Sequence, residues 1–437
     1  MASSRVCEVE TDMNMTARIL SLALLLTACT HATDRGGGET DSPSSRVRPG
    51  DRGGATTPAV SRHSAYSDAN NAFGFDLWRT VRKGDNLAIA PASISLALGM
   101  TWTGARGTTA DEMSRAMHLG GDVQTMSDAM GEQLRAWNEH GDDYELRVVD
   151  RLFGEKTAKF DADFLALVQR SFGAPLEQVD FIQGYERARV HINDWVEDST
   201  KDRIRDLLPE GSLDELTRLV LTNAVYFKGD WQHAFDANDT YDGTFHVRGN
   251  EASSRKLMHQ YGSFGYAKQD GVQIVELPYK GGDLALDIVL PDRKDGLDEL
   301  ARTIDETRFA ALVGALQPTG VQLTLPKFEL EMSGSLALKD PLKKLGIELA
   351  FTTGADFSGI STDIHPLFID DVYHKTFVAV DEEGTEAAAA TAVVMRTESA
   401  AVIPDGKPFV ADHPFMFVLR DVKSGTIMFL GQVVDPK

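Results

Sequence analysis

Serine, histidine and aspartate occur throughout the chain, and together they could perform acyl transfer. Histidine with carboxylates could hold a metal. Each chemistry needs its residues at particular spacings. No Gly-x-Ser-x-Gly elbow exposes a serine nucleophile, and no His-Glu-x-x-His pair puts two metal ligands on one helical face. The eleven histidines show no ligand-like spacing with carboxylates, and the two cysteines, Cys7 and Cys29, lie near the N-terminus. A zinc site in the body is therefore not expected. No glycine-rich loop follows a strand to cradle phosphate; the glycine triplet at 36–38 sits in a polar stretch. Scattered Ser, His and Asp could still meet as a triad, but nothing local supports a hydrolase. Labelling by a fluorophosphonate probe would revive that reading. The expectation is a protein with no cofactor and no metal, acting by binding or by mechanical rearrangement.

The stretch with the most unusual composition is DEEGTEAAAATAVVMRTES, residues 381–399. Alanine favours helix, yet Gly384 and the threonines argue against one, and the flanks look like strands. Read as a strand, one face carries Thr385, Ala387, Ala389, Thr391, Val393, Met395 and Thr397. The other carries Glu386, Ala388, Ala390, Ala392, Val394 and Arg396. Every charge falls on one face. Such a segment could enter a sheet without burying a charge, which would cost several kcal/mol. Thirteen residues would span about 43 Å at about 3.3 Å each. A low-complexity surface loop is the other reading of the same residues.

The elements that must position this segment belong to a large body. The 437 residues can bury a substantial core, and a charged fraction of 25% is ordinary for a globular chain. The net charge of −22 argues against nucleic-acid binding, which needs a basic face, and against adhesion to anionic lipid.

Helical signals occur at 68–83, from Pro91 onward, at 161–172 and at 189–199, with a capping box expected at Thr109 to Glu112. Strand signals occur at 218–227, 283–291, 321–330, 372–380, 413–421 and 425–434. Strands clustered after 218 favour an α+β fold over a doubly wound sheet.

Residues 15–29, MTARILSLALLLTAC, have a signal-peptide layout too short to span a membrane. Their end, Leu26-Thr27-Ala28-Cys29, resembles the lipobox of bacterial lipoproteins. That resemblance implies lipidation of Cys29, with translation starting at Met13 or Met15 and residues 1–12 lying upstream of the true start. Residues 30–65 read as a flexible tether rich in Gly, Ser, Thr and Pro. The globular domain is expected over 66–437. Thr30 after the cysteine resembles outer-membrane sorting in Gram-negative bacteria, so the expected location is extracellular or on the cell surface, with the lipid as the sole membrane contact.

The hinge Glu382-Glu383-Gly384-Thr385-Glu386, followed by four alanines and Thr391, resembles that of inhibitory serpins. So do NLAIAPASISLALGMTWTGARGTTADEM (86–113), INDWVEDSTKDRIRDLLP (192–209), LVLTNAVYFKGDWQHAF (219–235) and the C-terminal ADHPFMFVLRD and GTIMFLGQVVDP segments. Together they cover roughly 66–437. The resemblance implies an α+β fold of three β-sheets with about nine helices and an exposed reactive loop at about 382–408. It implies no enzyme but an inhibitor of serine, or cysteine, proteases. The protease cuts the loop and forms an acyl-enzyme; the hinge then inserts into the main sheet and traps the protease covalently. Serpin loop insertion is itself a standard example of strand addition and of stored strain. The partner is the target protease, with no nucleic acid, and the inhibitor is a monomer. A non-inhibitory serpin acting as a binding or chaperone module is the alternative.

Carried over by resemblance, Ser93, Asn223 and His374 match the polar cluster under the centre of the main sheet. Trp231, Lys327 and Glu382 match the entry point at its top, with Lys327 and Glu382 expected to pair. Hinge residues are Glu382, Gly384, Thr385, Ala387, Ala389 and Thr391. Ala90 departs from the family, which usually has serine before Pro91. Counting from Gly384 places the scissile bond at Glu398-Ser399, suiting a protease with an acidic preference. Arg396-Thr397, suiting a trypsin-like enzyme, is the alternative; Met395 and Ala400 to Ile403 also stay open.

Overall fold

The computed structural model describes residues 64–139, 143–247, 251–332, 334–385 and 406–437; for residues 147, 149, 150, 223 and 224 it describes the backbone alone. In chain order come α1 (Ala65–Val81), β1 (Leu87–Ile89), α2 (Pro91–Thr103), α3 (Gly107–Ala116), α4 (Val123–Asn138), β2 (Tyr144–Glu155), α5 (Ala162–Phe172), β3 (Leu176–Val179) and α6 (Phe181–Ser199). There follow β4 (Leu219–Asp230), β5 (Thr240–Val247), β6 (Glu251–Gln269), β7 (Val272–Pro278), β8 (Leu284–Pro291), α7 (Leu297–Thr303), α8 (Glu306–Gly314), β9 (Gln317–Pro326), β10 (Phe328–Glu331), β11 (Leu336–Ala337) and α9 (Lys339–Lys344). The last are β12 (Tyr373–His374), β13 (Phe377–Val380), β14 (Gly384–Thr385), β15 (Lys407–Val410), β16 (Phe415–Asp421) and β17 (Ile427–Val433). The expected α+β class of three sheets and nine α-helices is therefore present among the described residues.

Local chemistry accounts for many of these elements. Ser64 caps α1 by accepting from the Ser67 amide, so the helix starts before residue 68. Pro91 occupies the first turn of α2, where its missing N–H costs nothing. Asp161 caps α5 and Gly173 ends it in the left-handed region. Every residue of β8, β16 and β17 is buried, most of them apolar, with the buried Asp287 of β8 paired to Arg420 of β16.

The expected capping box at Thr109 to Glu112 does not form. The helix begins two residues earlier, at Gly107, because both side chains have distant partners. The Thr109 hydroxyl accepts from the Asp356 amide at 3.0 Å. Glu112 Oε2 accepts from the amides of Glu348 and Leu349 at 2.8 and 2.7 Å. Two expected strands also divide. The segment 321–330 becomes β9 and β10, which lie in different sheets, and 372–380 becomes β12 and β13. The expected helix at 189–199 is the second half of α6, which runs from Phe181 through a kink at Gly184.

The nine-stranded sheet runs β1-β17-β16-β8-β7-β6-β9-β15, with β5 paired to β6. The six-stranded sheet runs β10-β13-β14-β4-β2-β3, and β11 and β12 form a small ribbon. In the six-stranded sheet, β14 pairs antiparallel with β13 on one side and β4 on the other. Helix α2, buried almost all round, packs against β4 and β17.

Candidate functional site

The centre of interest is the upper end of the six-stranded sheet, where the chain turns from β13 into β14. Asp381 makes the turn. Its Oδ1 accepts from the amides of Glu383 and Gly384 at 2.9 and 3.2 Å, an Asx-type turn. Gly384 then passes so close to β4 that a Cβ would lie 2.0 Å from the Gly229 carbonyl oxygen. Only glycine fits there.

Thr385 is 4% exposed. Its hydroxyl meets that of Tyr279 at 2.6 Å inside the core. Burial pushes the Tyr279 hydroxyl above its ordinary pKa, so it remains a neutral partner. Tyr279 stacks on Trp231 with centroids 4.6 Å apart and meets Phe227 edge-on at 4.9 Å. Trp231 holds the hinge directly: its Nε1 donates to the Asp381 carbonyl at 2.9 Å, and its amide donates to the Glu383 carbonyl at 2.8 Å. The Phe235 amide donates to the Glu382 carbonyl at 2.8 Å. Lys327 Nζ lies 2.6 Å from Glu382 Oε2. Burial raises the Glu382 pKa, but the Lys327 hydrogen bond and further donors outweigh it, leaving the carboxyl below its ordinary value.

The expected entry residues Trp231, Lys327 and Glu382 therefore meet the hinge residues Gly384 and Thr385 at one place. Asp381, Gly229 and Tyr279 escaped the sequence reading. Asp381, three residues before a glycine, carried a turn signal; Tyr279 carried none, lying 106 residues from its partner.

Lower down, His374 lies in β12 and is 5% exposed. The Ala90 amide donates to its Nε2 at 3.1 Å, which places the ring proton on Nδ1. Burial lowers the His374 pKa to about 4. Alanine at position 90 leaves α2 without a side-chain cap, and the backbone itself meets the histidine. Ser93 is buried on α2. Asn223 stands opposite Asp150 in the β2–β4 pairing; its side chain lies outside the described residues. Ser93, His374 and the residues 219–222 of β4 line a cavity of about 110 Å³.

The expected positions Cys29, Ala387, Ala389, Thr391, Arg396, Thr397, Glu398 and Ser399 lie outside the described residues. Register nevertheless defines where a longer β14 would run. Gly384 pairs with Asp230 and Thr385 with Gly229. Continued without a slip, Thr391 would oppose Asn223, and Met395 would oppose Leu219 at the far end of β4. Alternation from the inward Thr385 turns Ala387, Ala389 and Thr391 to the core as well.

Among the described residues, no group of three or more His, Cys, Asp or Glu could hold a metal ion, and no helix is long and apolar enough to cross a membrane.

The six-stranded sheet thus holds Gly384 and Thr385 as a short strand between β13 and β4. Residues 68–436 match the family described as Serpin (serine protease inhibitor). The chain is 41% identical over 382 residues to the leukocyte elastase inhibitor of Bos taurus, covering 85% of this chain and 99% of that protein. It is 35% identical over 394 residues to Serpin B4 of Homo sapiens, covering 85% of this chain and all of that protein. Among solved structures, Cleaved Serpin 42Da is similar with a TM-score of 0.76 and 28% identity, covering 85% of this chain and 99% of that one. The chain belongs to the serpin family.

Proposed function

We propose that the chain is a suicide inhibitor of serine endopeptidases, driven by insertion of residues 384–395 between β13 and β4. The observation that carries this is Thr385, held inward against Tyr279 as the second residue of a strand already begun. After a protease cuts the loop and acylates it, the freed segment continues down β4 with its uncharged face to the core. The acylated protease is carried along as a covalent complex. The related leukocyte elastase inhibitor supports the same class of activity.

The register bears on the cut site. Residues up to Met395 are needed to reach the end of β4, so the scissile bond belongs beyond them. Glu398-Ser399 satisfies this and leaves three residues to clear the sheet; Arg396-Thr397 is the second choice. The polar cluster of Ser93, Asn223 and His374 lies level with Thr391 on that path, where strands must part. The lipobox-like sequence at Cys29 supports a lipoprotein on the surface of a Gram-negative bacterium, its tether placing the inhibitor outside the cell; the inhibitor is proposed to act as a monomer. Replacing Cys29 with serine should abolish labelling by radioactive palmitate.

Incubation with trypsin, elastase, subtilisin and a glutamyl endopeptidase should yield an SDS-stable adduct near the summed mass. Simple loop cleavage by all four would sink the proposal. The melting temperature separates the non-inhibitory alternative: loop cleavage should raise it strongly in an inhibitor and little in a binding or chaperone module.

A further inference from the structure

Helix α2 is buried along its whole length except at Ala97, which is half-buried. On β4, Leu219 and Leu221 pack against the main core yet are also half-buried. These gaps in burial share one cause. Ala97, Leu219 and Leu221 all border the cavity of about 110 Å³ beside His374. Ser93, Ala97 and Thr101 repeat at i, i+4 spacing, so one stripe of α2 forms a wall. The lower end of β4 forms a second wall, and residues 367–374 a third.

The chemistry of the walls limits the occupant. Among the described residues that line the cavity there is no lysine or arginine; the charged ones are Asp370 and Asp371, and His374 is neutral at neutral pH. An acid would find no cation there. Two of the hydroxyls are engaged. That of Thr101 donates to the Ala97 carbonyl at 3.3 Å, and that of Thr217 accepts from the Asp214 amide at 3.1 Å. Ser212 also lines the cavity and is 8% exposed, yet its buried hydroxyl has no hydrogen-bond partner. A buried hydroxyl left unpaired is costly, and a partner brought by a ligand would relieve that cost.

Size narrows the choice further. One free hydroxyl holds an ordered water poorly, since buried water usually makes about three hydrogen bonds. An apolar cavity of about 150 Å³ binds benzene, so this somewhat smaller one suits about six heavy atoms. We propose that the cavity binds a small neutral alicyclic alcohol, its ring against Ala97, Leu219 and Leu221 and its hydroxyl bonded to Ser212, and that an occupied cavity slows strand insertion. The effect on insertion rests on the inhibitory reading. Continued along β4, Val393 would oppose Leu221 and Met395 would oppose Leu219, both turned toward the space that the ligand fills.

Saturation-transfer NMR on the full-length protein, with cyclopentanol and cyclopentane as probes, measures binding. Cyclopentanol should bind saturably. Ala97→Met, which fills the cavity, should remove binding of both probes. Ser212→Ala should weaken cyclopentanol about tenfold and leave cyclopentane within about twofold of the parent. The stoichiometry of inhibition is then measured with whichever of trypsin and glutamyl endopeptidase forms an adduct. It should rise at least about twofold as cyclopentanol saturates the parent, and cyclopentanol should not change it in Ala97→Met. Should neither protease form an adduct, the inhibitory reading fails, while binding governed by Ala97 and Ser212 still upholds the site. Binding that does not saturate, that survives Ala97→Met, or that Ser212→Ala leaves unchanged would overturn the site. A constant stoichiometry in the saturated parent would overturn its effect on insertion.

Discussion

Replacing Thr385 with arginine should turn the inhibitor into a substrate. Thr385 already lies in the core, its hydroxyl 2.6 Å from that of Tyr279; an arginine would draw these two residues out of the sheet, and insertion would then have to carry the charge back in. A guanidinium placed there replaces a 4% exposed neutral group with a charge. Burying an unpaired charge costs several kcal/mol. If about 3 kcal/mol of this appears in the barrier to insertion, insertion slows about 150-fold. After acylation, insertion competes with deacylation, and the stoichiometry is one plus the ratio of deacylation to insertion. A ratio of about 0.1 in the parent would become about 15, so about 16 inhibitor molecules would be consumed per protease instead of about one. Titration of residual protease activity measures the stoichiometry, and gel electrophoresis follows adduct against cleaved inhibitor. Thr385→Val, similar in size and uncharged, should remain an inhibitor. A stoichiometry near one for T385R would refute the claim that this side chain must enter the core.

Acid should destabilise the protein through His374. The unfolded chain binds a proton there below about 6.5, whereas the folded protein binds one only below about 4. The unfolded state holds more protons between these values, so stability rises with pH across that window, by about 3 kcal/mol in all. Unfolding free energies of parent and His374→Gln from pH 4 to 7 check this; parallel curves would count against it. Tyr279→Phe should leave the Thr385 hydroxyl buried without its partner, costing about 1–3 kcal/mol. Hydrogen exchange at Gly384 and Thr385 should then quicken about tenfold or more; unchanged exchange would contradict it. Gly384→Ala puts a Cβ against the Gly229 carbonyl in the intact protein, so it should lower the melting temperature of the uncleaved form, and an unchanged value would argue that the two backbones can separate at no cost.

The inward face of the hinge was legible because alternation in a strand is geometric. Once Thr385 points inward, Ala387 and its successors follow, whatever surrounds them. Pro91 and the largely apolar strand at 284–291 were legible for similarly local reasons. Thr109 and Glu112 misled because their spacing suits a cap, while their actual partners lie more than 230 residues away. Nor could the sequence show that residues 321–330 serve two sheets, since both pieces have the same strand composition. Resemblance brought Trp231, Lys327 and Glu382 together, but Tyr279, which the hinge threonine touches, had no signal of its own.

Two residues of β14 already sit between their neighbours. Strand addition behaves like a zipper, in which the first pairing fixes backbone freedom for little return and later pairings come more easily. Here that nucleation step is complete before any protease arrives. What remains is propagation of β14 along β4. Closure after cleavage therefore need not await a chance encounter between a free end and a slot, and the race against hydrolysis starts with the first tooth engaged.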